Sequence, residues 1–129
     1  MSWDDFFTKN SKLICHIYNQ LKNDYCTPPL EDVFGIFKYV PLNKIKVVMI
    51  GDQPYKKSCD ICDVAFGTRN YNPPLLLERI YENLEKTVPS FKRPINHHLD
   101  LWLSRGIFLC NFCFTRTIAD PVPYHYHLL

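Results

Sequence analysis

Apolar residues in the opening segment recur at helical spacing. Leu13, Ile14, Ile17, Tyr18 and Leu21 fall on one face and predict an amphipathic helix. Thr27-Pro28-Pro29 ends that helix and opens the next, because proline lacks an amide donor and suits a first turn. Leu30, Val33, Phe34 and Phe37 then predict one buried helical face, closed by Pro41. The run Ile45 to Ile50 is short, β-branched and almost continuously apolar, the pattern of a central parallel strand. It ends at Gly51, and a polar loop begins at Asp52. Residues 73–86 read as Pro-Pro followed by a helix with Leu76, Leu77, Ile80, Tyr81 and Leu84 inward. Leu99, Trp102 and Leu103 predict a short helix stopped at Gly106. Ile107 to Asn111 predicts a second buried strand. Tyr124 to Leu128 alternates weakly, as a third, exposed strand or as a frayed end.

The order helix, helix, strand, loop, helix, helix, strand predicts an α/β fold, a parallel sheet flanked by helices with a right-handed crossover. In such sheets a ligand binds beyond the carboxyl ends of the strands, so the loop at Asp52 is the first place to look for a site.

Composition narrows this only a little. The 129 residues suit one domain over 1–129, and 47% hydrophobic residues supply a core that a disordered chain lacks. A net charge of +2 is compatible with nucleic acid but does not single it out. The opening MSWDDFFTKN is acidic where a secretory leader would be basic, and no apolar run spans a bilayer. No membrane association is expected. The expected address is nucleus or cytoplasm, where the six cysteines stay reduced.

Four cysteines form two C-x-x-C pairs, Cys59/Cys62 and Cys110/Cys113. The pairs lie about 50 residues apart, against roughly 15–20 in a zinc ribbon. Cys110 and Cys113 also fall in a run that reads as a strand, where a three-residue step points to opposite faces. These pairs are read as small buried hydrophobes, and no metal or cofactor is expected.

Four blocks carry a resemblance. PLNKIKVVMIGDQPYKKSCDICDVAFGT has a strand ending in GDQPYK, with Ala65-Phe66 following; CTPPLEDVFGIFKYVPLNKIKVV leads into it. NPPLLLERIYENL and LDLWLSRGIFLCNFCFT come later, in collinear order. Together these resemble the amino-terminal half of uracil-DNA glycosylases, whose corresponding strand ends in GQDPYH. The resemblance implies a truncated glycosylase-like fold, DNA repair by base excision and hydrolysis of the uracil N-glycosidic bond.

By that resemblance Phe66 stacks on a flipped uracil, Tyr55 blocks a thymine methyl, and Asn111 bonds the uracil edge, since one amide both donates and accepts. The loops holding Ser58, Pro73 and Pro74 are those that pinch the DNA backbone in the family; Lys56, Lys57, Arg69, Arg79, Lys92 and Arg93 are candidate phosphate cations or a solvated basic surface. The implied partner is uracil-containing DNA, single- or double-stranded. Two departures matter. The family's water-activating carboxylate position holds Gln53, with the acid moved to Asp52. The family's second motif, HPSPLS, has no counterpart; His125 and His127 lie in an unlike tail. Weak or lost excision is therefore expected. The alternative is a non-catalytic relative that binds DNA or protein. A two-stranded sheet also leaves an edge for a protein partner or self-association. A viral chain in an infected cell would suit such a shortened form.

Overall fold

The computed structural model describes residues 1–22, 26–117 and 123–124. Helix α1 (Trp3–Lys9) starts at a reciprocal cap, with Asp5 N donating to Ser2 Oγ (3.2 Å) and Ser2 N donating to Asp5 Oδ2 (2.8 Å). Trp3 then packs on Phe37 and Phe108 while its indole N–H donates to Val40 O at 2.8 Å. Helix α2 (Ser11–Leu21) turns Ile17 and Leu21 into the core, as its spacing predicts; Leu13 stays exposed.

The next segment departs from expectation. Strand β1 (Cys26–Thr27) precedes Pro28, and the helix expected over Leu30 to Phe37 is two short 3-10 turns, Leu30–Asp32 and Gly35–Lys38. Gly35 explains the break. A Cβ there would stand 2.6 Å from Asp63 Cβ, so the chain bends where another loop crosses it. Val33 is buried all the same, and Leu30, Phe34 and Phe37 pack partly buried against the core, so the apolar spacing reports burial without a continuous helix.

Strand β2 (Val47–Gly51) follows, then α3 (Leu75–Thr87), α4 (Asp100–Ser104) and β3 (Ile107–Asn111). Helix α3 buries Leu77 and Tyr81; Leu76, expected inward, is half exposed. β2 and β3 pair in parallel from Val47↔Ile107 to Gly51↔Asn111. The architecture is thus α/β around a small parallel pair. β3 is buried as read, but β2 is not central. Val47, Val48 and Ile50 are 53%, 53% and 56% exposed, and among the described residues no strand covers the other side of β2. A continuous apolar run reports strand preference; it does not supply the neighbours that would bury it.

A second, antiparallel sheet adds to the predicted pattern. β4 (Thr115–Thr117) pairs with β1, and β5 (Pro123–Tyr124) pairs with β4, so the start of the alternating tail does form a strand. His125 and His127 lie outside the described residues. One core cluster joins α2, the 3-10 turns, α3, α4 and β3. Among the described residues no helix is long and apolar enough to cross a membrane.

Candidate base-binding site

The pairing of Gly51 with Asn111 sets the carboxyl ends of β2 and β3 side by side. Two backbone bonds continue the alignment past the strands, from Phe112 N to Gly51 O (2.7 Å) and from Cys113 N to Asp52 O (2.9 Å). The loop after β2 therefore leaves directly beside Asn111. Gly51 must lack a side chain here, since a Cβ would strike Asn111 Oδ1 and come within 3.0 Å of Phe66 Cζ.

Phe66 reaches this place in an unusual conformation. Its φ is +67°, a left-handed region that costs a bulky residue energy. Several bonds hold it there: Gly67 N to Val64 O (3.2 Å), Ala65 N to Leu109 O (3.4 Å) and Tyr55 Oη to Phe66 O (2.6 Å). The result is an open cavity of about 190 Å³ walled by Asp52, Gln53, Tyr55, Phe66, Leu76 and Asn111. All five residues singled out from the sequence for base recognition and catalysis line it. Leu76, which helical spacing points toward the core, joins them.

The polar groups differ in exposure. Asp52 is exposed; Gln53 is half-buried, and its Oε1 is buried with no hydrogen-bond partner among the described residues. A buried acceptor without a donor is costly, and here it belongs to a side chain that lines a cavity. Burial pushes the Tyr55 hydroxyl well above the ordinary phenol range, so it stays neutral.

Of the residues read as backbone contacts, two belong to this loop and two precede α3. Lys56 is exposed, Ser58 is exposed and opens a 3-10 turn, and Pro73 and Pro74 are half-buried just before α3. Not every expected cation is available. Arg93 is held by Glu78 (2.6 Å) and Glu85 (2.8 Å) and lies over the Tyr81 ring at 5.5 Å. Its charge is matched within the fold by these two carboxylates.

The reading of the cysteines also changes. Cys110 and Cys113 are buried and free, as read, but Cys59 is exposed and Cys62 is half-buried. Cys62, Asp63 and His98 bring one ligand atom each within 4.8 Å of one another. Sequence spacing missed this group because His98 comes from a loop 35 residues beyond Asp63. Around it, Tyr39 Oη donates to Asp63 Oδ2, and Arg69 Nη2 lies 3.6 Å from Asp63 Oδ1. Burial alone would raise the Asp63 pKa; bonds from Tyr39 and His98 outweigh it and hold the carboxyl below its usual range.

No family model matches the chain. Two curated relatives, the uracil-DNA glycosylases of Salmonella agona and Salmonella paratyphi B, are 37% and 36% identical to it over 89 residues. Each alignment covers 68% of this chain and 39% of the relative. The solved structure of mimivirus uracil-DNA glycosylase superposes with a TM-score of 0.72 at 30% identity. A substituted mimivirus UNG in complex with UGI superposes at 0.77 and 29%. These superpositions cover 92% of this chain and 48% of the viral ones. The chain thus spans about two fifths of these curated relatives and about half of the solved structures.

Proposed function

Since this chain is a relative in the uracil-DNA glycosylase family, we propose that its cavity takes up a uracil base turned out of DNA and that any excision runs through Asp52. The observation that carries the reading is the convergence of Tyr55, Phe66 and Asn111 with Asp52 on one opening at the strand ends.

Turning a nucleotide out of the stack costs a few kcal/mol, which contacts to the base must offset. In this reading the Phe66 ring stacks on the base. The Asn111 amide accepts from N3–H and donates to O4, an arrangement that cytosine cannot match. The Tyr55 ring stands on the side where thymine carries its methyl. Lys56, Ser58, Pro73 and Pro74 meet the sugar–phosphate chain. For hydrolysis, Asp52 takes a proton from water as the oxygen bonds to the sugar carbon. The N-glycosidic bond breaks, its electron pair leaves with uracil, and uracil is then protonated. A carboxylate also stabilises the developing sugar cation, which the neutral Gln53 amide cannot do.

A second reading is favoured by Gln53 itself. With an amide in the family's carboxylate position, the chain recognises uracil without turnover. One assay separates the two. Wild type, Asp52→Asn and Gln53→Asp are incubated with a uracil-containing oligonucleotide, and abasic sites and bound DNA are both measured. Excision by wild type that disappears in Asp52→Asn supports the enzyme. Uracil-selective binding without abasic sites supports the binding module. Neither product nor uracil preference, at high protein concentration, rejects both.

A further inference from the structure

We propose that Cys62, Asp63 and His98 form a binding site for one divalent metal ion of zinc type, separate from the chemistry proposed for the base cavity. The donors are a thiol, a carboxylate and an imidazole, and their ligand atoms all lie within 4.8 Å of one another. Zinc bonds of about 2.0–2.3 Å place tetrahedral donors roughly 3.5 Å apart, so small side-chain rotations close the set. Sulfur and nitrogen donors favour zinc over magnesium or calcium, which take oxygen shells.

The support behind His98 points the same way. The ring is 4% exposed, and its Nδ1 faces Asp100 Oδ1 at 2.6 Å. Asn96 fixes both partners, donating to Asp100 Oδ2 (3.0 Å) and accepting from His98 N (2.9 Å). A carboxylate behind one ring nitrogen is the usual support of a metal-bound histidine, because it holds the proton there and leaves the other nitrogen's lone pair forward. That other nitrogen, Nε2, lies 2.9 Å from Asp63 Oδ1 and 3.2 Å from Arg69 Nη2. Without an ion, Nε2 and Asp63 Oδ1 share a hydrogen bond, which a metal ion between them would replace. Arg69 Nη2 also stands 3.6 Å from Asp63 Oδ1. Its side chain is 66% exposed and can swing out to admit a metal ion. Tyr39 binds the other oxygen of Asp63 and keeps Oδ1 turned toward His98.

Cys62 also lines the base cavity, so a bound ion would tie the loop before Phe66 to the loop before α4. Cys59 lies outside the group, with its thiol toward Asp60 Oδ1 at 4.0 Å. The C-x-x-C pair therefore contributes one ligand and not two.

Cobalt(II) titration of the metal-stripped full chain is the test. One equivalent should give the visible bands of a tetrahedral site and a thiolate charge-transfer band, both abolished by added zinc. Cys62→Ser should remove the charge-transfer band, and His98→Gln should weaken cobalt binding at least tenfold. Cys59→Ser should change neither. A wild-type chain without a tetrahedral cobalt spectrum overturns the proposal whether or not any variant folds. So does a charge-transfer band that survives Cys62→Ser, which would place the ion elsewhere. No outcome depends on uracil excision.

Discussion

Tyr55 donates its hydroxyl proton to the carbonyl oxygen of Phe66 across 2.6 Å, so the loop after β2 and the left-handed residue beside it hold one another in place. Tyr55→Phe keeps the ring and deletes the donor, leaving a half-buried carbonyl oxygen short of a partner. We expect a loss of about 1–3 kcal/mol in urea denaturation. Unchanged stability would mean that solvent satisfies the carbonyl.

At Phe66 the side chain and the backbone make opposite demands. Phe66→Ala and Phe66→Gly both remove the ring and, on the proposed function, weaken binding to uracil DNA by about 1–3 kcal/mol. Their stabilities should differ. Glycine accepts a φ of +67° freely, whereas alanine there costs about 1 kcal/mol more. Glycine is therefore the more stable variant, an order opposite to that in a helix. Denaturation midpoints decide it.

Gly51→Ala tests how closely the wall is packed. The added Cβ would meet the Asn111 amide and the Phe66 ring together. The β2–β3 pair should persist in circular dichroism. Uracil-DNA affinity should fall on the order of 10²-fold, the effect of displacing a positioned group by about an ångström.

Alkaline stability should depend on Cys110. Burial pushes its thiol from 9.0 up to about 11. The native chain therefore keeps a proton that the unfolded chain releases, and stability present below about pH 9 is lost as pH rises toward 11. Cys110→Ala should flatten that decline in a series of melts. In thiol labelling near neutrality, exposed Cys15 and Cys59 should react well before Cys110.

Among the described residues one side of β2 is left uncovered, which is an association hazard. Sedimentation should show self-association that grows with concentration, reduced by Val48→Lys, because a lysine on an edge strand opposes strand pairing.

What could be read from the sequence follows from the range of the forces involved. β3 was legible because Ile107 to Cys110 is an unbroken apolar run ending at a polar residue, and α3 because Leu77 and Tyr81 are four apart. The cavity residues were legible only through the resemblance, since no spacing rule links Phe66 to Asn111. The segment from Leu30 misled because helical periodicity and a bent, half-buried loop can expose the same residues; Gly35 was the clue. β1 and β4 are too short to signal themselves, and Thr27 reaches Arg116 O across 89 residues of chain. The group at His98 was hidden for the same reason.

Gly106 has a φ of +88°, and a Cβ there would collide with Lys44 O at 2.5 Å; its own carbonyl receives Lys46 N at 2.8 Å. This crowded corner sits at the end of the parallel pair opposite the cavity and sets where β3 begins against β2. A bulkier residue could slide β3 by one position, and every side chain along it would then change faces. Cys110 or Phe112 would take the place of Asn111 beside Gly51. The identity of the amide in the cavity thus depends on a glycine five residues away that does not line it.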